Sequence, residues 1–300
     1  MKPQRAPRAA TRPATVLELV RAARRRLDEA GVGFGHGTTN SFDEAAWLVL
    51  WRLGLPLDDL DGVAARPVAP ERQAEVDALV AERIASRRPA AYLTGEAWLQ
   101  GVPFCVDERA IVPRSLIAEP LAEGVLDAWL GAPPGRVLDL CTGNGSLAVL
   151  AALAWPEASV DATDISADAL AVAERNVERH GLGGRITLRQ GDGLAAARGA
   201  YDLVLCNPPY VNRDSMAALP PEYRAEPALA LDGGVDGMAV IAPLLRGLGA
   251  HLTDAGLLVL EIGHERAHFE RAFPLLEPVW LPTSAGADAV LLLAREQLSR

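Results

Sequence analysis

Four consecutive residues, Asn207-Pro208-Pro209-Tyr210, carry the most specific chemistry in the chain. Asn207 offers a side-chain carbonyl and Pro208 a main-chain carbonyl, while the proline that follows stiffens the segment and brings no competing N–H. Two such acceptors can grip a planar NH₂ group by both hydrogens and aim its lone pair at an electrophilic carbon. They also favour the positive charge that grows on nitrogen as the new bond forms, so the grip is tighter in the transition state than in the ground state. Tyr210 can lie against the flat group and wall off water. A general base is not demanded, because the alkylated nitrogen can shed its proton afterwards. Orientation alone can contribute up to about 7–11 kcal/mol to such a transfer. The bland alternative is a proline-stiffened loop after a strand.

A second run could hold the electrophile. Val137–Leu140 reads as a strand that enters Cys141-Thr142-Gly143-Asn144-Gly145-Ser146, where two glycines allow a tight turn and a close approach of backbone to ligand. About twenty residues on, the next apolar run ends at Asp164, an acid placed to accept hydrogen bonds from two ribose hydroxyls. Strand, glycine turn, helix and acid together point to an adenosine-containing cofactor. Asp139, at the end of the first strand, suits a ligand with cationic groups, such as the ammonium of a methionine moiety, and does not suit a pyrophosphate. That favours S-adenosyl-L-methionine over a dinucleotide, with a turn-capping acid as the structural alternative for Asp139. Asp192, in Gln190-Gly191-Asp192-Gly193, is placed to flank the adenine, and an ordinary turn explains it equally well.

The elements that must position these residues fall into two parts. Val16–Ala30, Phe42–Leu53 and Pro70–Arg87 carry apolar residues at helical spacing. Ala97–Leu99 and Phe104–Val106 flank a Gly-Val-Pro turn and read as a hairpin. From Gly135 onward strands (Arg136–Cys141, Ser159–Thr163, Arg185–Arg189, Tyr201–Cys206, Leu257–Ile262) alternate with helices (Ser146–Trp155, Ala167–His180). The spacing predicts an α/β fold, a doubly wound, mostly parallel sheet with ligands beyond the carboxyl ends of its strands. The expected organisation is a basic tail over 1–15, a helical substrate-recognition domain over 16–95, a hairpin linker over 96–115 and a catalytic domain over 116–300.

Composition limits the partners. The 300 residues are half apolar, enough for a real core. Thirty-nine acids against twenty-nine bases leave a net charge of −10, which argues against a uniformly basic nucleic-acid binder. The charge is uneven: residues 1–27 hold eight bases and only Glu18 as an acid, so that segment is +7 and the remainder −17. The Arg-rich start reads as a solvated tail before it reads as a contact with ribosomal RNA. Cys105, Cys141 and Cys206 form no C-x-x-C pair, and no apolar run reaches membrane-spanning length, so a cytoplasmic protein is expected.

Taken together, Asp139–Gly145 and Asn207–Tyr210 resemble the class I (Rossmann-like) S-adenosylmethionine-dependent methyltransferases of the HemK/Prm type, which methylate a glutamine side-chain amide in a protein. One branch of that family modifies the Gly-Gly-Gln glutamine of peptide-chain release factors, another a glutamine of large-subunit ribosomal protein L3. Phe34-Gly-His-Gly-Thr-Thr-Asn-Ser-Phe-Asp-Glu-Ala45, Ala91-Tyr-Leu-Thr94, Phe104–Arg109, Val112-Pro-Arg-Ser115 and Leu219–Pro227 are similar to the second branch. Leu116 and Ala225 depart from it, standing where proline and histidine are usual. The resemblance implies that Cys141, Thr142, Gly143, Asn144, Gly145, Asp164 and Asn207 bind the cofactor, and that Asn207, Pro208, Pro209 and Tyr210 bind the glutamine. It also places Arg114 and Glu119 near the cofactor, with a salt bridge between domains as the alternative. Release-factor methylation and amino-methylation of nucleic-acid bases are the rival activities.

One further motif competes. His264-Glu265-Arg266-Ala267-His268 fits the H-E-x-x-H pattern of zinc hydrolases, which needs both histidines on one helical face. No third ligand is evident downstream, so no metal is expected, and an exposed polar helix is the simpler reading. Trp47, Trp51 and Trp98 read as packing, and His36 as a turn residue.

Overall fold

A computed structural model describes residues 12–298. It divides into two compact units, one ending at Thr94 and the other beginning at Gly95. Most of the basic tail, and with it the proposed RNA contact, lies outside the described residues.

The first unit is helical because its caps and its apolar spacing agree. Thr15 and Glu18 form a reciprocal capping box at the start of Val16–Glu29. Asn40 accepts from the N–H groups of Phe42 and Asp43 to open Ser41–Leu53, and Gly54 ends that helix in the left-handed region. Pro70 begins Pro70–Ser86. Val16, Val20, Leu27, Val49, Leu50 and Val80 pack together as the buried core. Within it, Arg83 Nε donates to Glu44 Oε1 at 2.9 Å, and a second guanidinium nitrogen donates to the Gly33 carbonyl. Both side chains of this ion pair are buried. Burial pushes the Glu44 carboxyl above its ordinary range, and the Arg83 charge opposes that shift.

The second unit opens with the antiparallel hairpin β1 (Glu96–Leu99) and β2 (Val102–Cys105). A seven-stranded sheet follows: β3 (Arg136–Leu140), β4 (Ser159–Asp164), β5 (Ile186–Gln190), β6 (Tyr201–Cys206), β7 (Leu252–Glu261), β8 (Val279–Thr283) and β9 (Gly286–Ala294). Their order is β5-β4-β3-β6-β7-β9-β8. β3 to β7 run parallel, and β9 pairs antiparallel with both β7 and β8. This is the expected Rossmann-like methyltransferase fold, and the crevice beside β3 and β6, where the winding reverses, is where such sheets take ligands. β3 and β6 are buried nearly throughout, as central parallel strands require.

Three features differ from the sequence reading. The hairpin turns over Gln100-Gly101 alone, with Val102 and Pro103 already paired in β2. β7 starts at Leu252, five residues early, with a register shift between Tyr201 and Leu203 absorbing the irregular pairing. β8 and β9 were not expected, because Pro282 interrupts one run and three polar or small residues precede the apolar part of the other.

Candidate active site

A cavity of about 490 Å³ opens at the carboxyl ends of the parallel strands. Cys141 and Gly143 of the loop after β3, Asp164 at the end of β4, Asp192 after β5 and Asn207 after β6 all line it. Residues chosen for four different strand ends therefore meet at one site, as the topology demands.

The loop after β3 is shaped by its backbone. Cys141, Gly143 and Gly145 have φ of 60°, 56° and 80°. A side chain at Gly145 would press on Ala173 at 3.0 Å, so this glycine lets the loop settle on the helix Ala167–Arg179. From that helix, buried Asn176 donates to the Asn144 and Cys105 carbonyls and accepts from the Cys105 N–H, tying the β1–β2 hairpin to the loop. Neither partner is near Asn176 in sequence, and its lone amide on an apolar helix face was the signal overlooked.

Asp164 holds the loop from the other side. One oxygen accepts from the Gly143 N–H and the other from the Ser166 N–H, both at 2.9 Å. Burial raises its carboxyl above the ordinary range, against those backbone donors. Asp139 stands behind the loop and not on the cavity wall. Its Oδ2 accepts from the Thr142 hydroxyl and from the Ala148 N–H in the first turn of Ser146–Ala154. Burial pushes this carboxyl up to about 7, against the Thr142 hydroxyl and the Ala148 N–H, while Asp164 adds a smaller push in the same direction. The side chains of Thr142 and Asn144 are likewise buried in the loop.

Of the tetrapeptide, Asn207 and Pro209 line the cavity. Tyr210 is turned toward the end of β7, where its hydroxyl donates to Glu261 Oε1 at 2.9 Å. The other oxygen of Glu261 accepts from the Ser115 hydroxyl at 2.6 Å and the Leu116 N–H at 2.9 Å. Burial raises the Glu261 carboxyl, while those donors pull it down. Gly263 gives the Tyr210 ring its room: a Cβ there would stand 2.5 Å from the ring. Gly237 does the same for the Tyr210 carbonyl, at 2.4 Å. Beyond Tyr210 the chain makes an excursion and returns to its root, where Val211 N–H donates to the Leu231 carbonyl and Gly233 N–H to the Val211 carbonyl.

The returning stretch, with Pro227 and Leu229, and the segment Arg109–Ile111 complete the cavity wall. Arg109 and Pro227 end runs that carry the family resemblance, but no place in the site was read from sequence for either stretch. Arg114 and Glu119 do not line the cavity. Arg114 pairs with buried Glu226 through two bonds of 2.6 and 2.7 Å, and Glu119 holds Ser284, so both serve contacts within this one unit. The H-E-x-x-H run is split: its helix begins at Arg266, His264 precedes it, and His268 Nδ1 lies 2.6 Å from Glu265. Among the described residues no group of three metal-ligating side chains occurs.

Residues 123–219 match the Methyltransferase small domain family. A Bordetella pertussis protein named ribosomal protein uL3 glutamine methyltransferase is 56% identical over 290 residues, 95% of this chain and 96% of that protein. A Burkholderia pseudomallei protein of the same name is 51% identical over 95% of both chains. The chain belongs to the uL3 glutamine methyltransferase family. A more distant member of the family, from Neisseria gonorrhoeae, keeps 45% identity over 95% of both chains. As a member, the chain is a methyltransferase with S-adenosylmethionine as methyl donor. The cavity fits such a donor: it is large enough for a nucleoside ligand, has a glycine loop without a side chain in the way, and places Asp164 on its wall.

Proposed function

We propose that the protein transfers a methyl group from S-adenosyl-L-methionine to the side-chain amide nitrogen of a glutamine in large-subunit ribosomal protein L3 (uL3). The observation that carries this reading is an end-to-end likeness to uL3 glutamine methyltransferases in a chain whose Asn207 stands on the cavity wall. The bound donor supplies a methyl group activated by a sulfonium. The loop Cys141–Gly145 and Asp164 hold it, with Asp192 toward the adenine.

Asn207 and the Pro208 carbonyl accept the two amide hydrogens, fixing the plane of the carboxamide and turning its nitrogen toward the methyl carbon. The same two oxygens stabilise the charge that develops on nitrogen. Pro209 keeps the segment stiff, and Tyr210 walls the group from water. The methylated amide then releases its proton to solvent. Asp139 acts through the loop, by pinning Thr142 and the first turn of the following helix. The helical unit recognises the protein substrate, and modification of a ribosomal protein places the enzyme in the cytoplasm. Among the described residues no helix is long and apolar enough to cross a membrane.

The test offers labelled S-adenosylmethionine to the purified protein with uL3, a release factor or DNA in separate reactions. Label on one glutamine of uL3, located by mass spectrometry, is the expected result. Label confined to the release factor or to DNA overturns the assignment.

A further inference from the structure

We infer that Glu261 is a positioning residue for the transfer, holding Tyr210 and the Ser115–Leu116 segment in fixed relation before substrate arrives. The inference rests on the proposed role of Tyr210 against the glutamine. A tyrosine ring on a loop keeps rotational freedom about two side-chain bonds unless something at its far end holds it. Here the far end is held by a carboxylate that is itself immobile. Glu261 is the last residue of β7 and is buried, and its two oxygens take three donors: Tyr210 on one, Ser115 and Leu116 on the other.

The strand end also crowds the ring. Gly263, two residues after Glu261, lies so close to the ring that even a methyl group would collide with it, so the strand end both ties and walls the aromatic plane. At the ring's other end, Gly237 packs against the Tyr210 carbonyl. Glu261 thus converts Tyr210 from a mobile aromatic into a preset surface, the kind of supporting shell on which a precise site depends. A neutral acceptor would serve less well, since a hydrogen bond to a charged group is the stronger one.

Steady-state transfer to uL3 is measured for the wild type, Glu261→Gln, Tyr210→Phe and the double variant, with S-adenosylhomocysteine affinity by calorimetry as a parallel readout. Glu261→Gln is expected to lower kcat about ten- to a hundredfold while the affinity for S-adenosylhomocysteine stays within about twofold. Tyr210→Phe keeps the ring and cuts the same tie, so it lowers kcat by a similar factor, and the double variant falls little further than the worse single one. Multiplying effects in the double variant, or wild-type kcat in Glu261→Gln, overturn the inference.

A second readout needs no substrate. With 3-fluorotyrosine incorporated, the ¹⁹F resonance missing from Tyr210→Phe identifies Tyr210. That resonance is expected to shift and broaden in Glu261→Gln while the others hold; an unchanged line overturns the inference whatever the substrate proves to be. Should the wild type leave uL3 unlabelled, the proposed function fails and the fluorine result still decides the part played by Glu261.

Discussion

Buried carboxylates are handled differently in the two units. In the helical unit Glu44 faces the guanidinium of Arg83, a full counter-charge inside the core. At the strand ends of the catalytic unit, Asp139 and Asp164 lean instead on a hydroxyl and on backbone N–H groups. The first arrangement satisfies itself and invites nothing. The second organises loops through neutral donors alone, and of its two carboxyls only Asp164 reaches the cavity wall. Within the catalytic unit Glu226 follows the helical unit's pattern, and it too stands off the cavity wall, bound to Arg114.

The contrast can be broken most severely at the tetrapeptide. Asn207→Ala is expected to reduce methyl transfer about a thousandfold or more while urea unfolding stays close to wild type. A parallel loss of stability would mean that the site and the core are not separable. Arg83→Met should do the reverse, leaving Glu44 buried without its partner. Chemical denaturation is expected to show a loss of about 3–5 kcal/mol, with much of it restored when Glu44→Gln is added. Calorimetry at a temperature where the protein is folded should find S-adenosylhomocysteine binding unchanged.

Asp139 gives a pH signature. Its folded carboxyl, near 7, lies above the ordinary 3.8, so folding favours the protonated form. That contribution is fully present below about pH 4 and is lost as pH rises through 7. Asp139→Asn removes the titration. The stability difference between variant and wild type should therefore move in the variant's favour between pH 4 and 8, by at most about 4 kcal/mol. A constant difference across that range would place the carboxyl in a more polar setting than its burial indicates. The smallest effect is expected from Arg114→Lys, which replaces a two-pronged contact with a point charge. Unfolding should lose about 1–2 kcal/mol, and S-adenosylhomocysteine should bind a few-fold more weakly because the stretch after Glu226 lines the cavity.

Much of this was legible in the residues. The glycine loop, Asp164, Asp192 and Asn207 were each read from a strand end, and local spacing suffices to find strand ends in a parallel sheet. The three long helices of the first unit were equally plain, since caps and apolar period agree there. Asp139 shows where such reading stops. Its position was right, yet whether a carboxylate points into a cavity or back at its own loop depends on a side-chain direction that no spacing encodes. Asn176 and the partners of Glu261 show the other gap, since Glu261 reads from sequence only as a support for the loop at its strand end. The partners of Glu261 lie 51 residues away or more and those of Asn176 lie 32 and 71 away, and only the folded sheet brings them together. The C-terminal strands escaped notice because β8 contains a proline and β9 begins with residues of weak strand preference.

The main-chain pair at Val211, bonded to Leu231 and Gly233, has a consequence for how the sequence can change. The detour between these residues leaves and rejoins the body at a single knot. Lengthening it after the short helix Arg213–Ala218, at Leu219-Pro220, adds little closure entropy, because that term grows only with the logarithm of loop size. Insertions there should be absorbed as surface ornament, and the knot keeps their strain from reaching the residues just upstream.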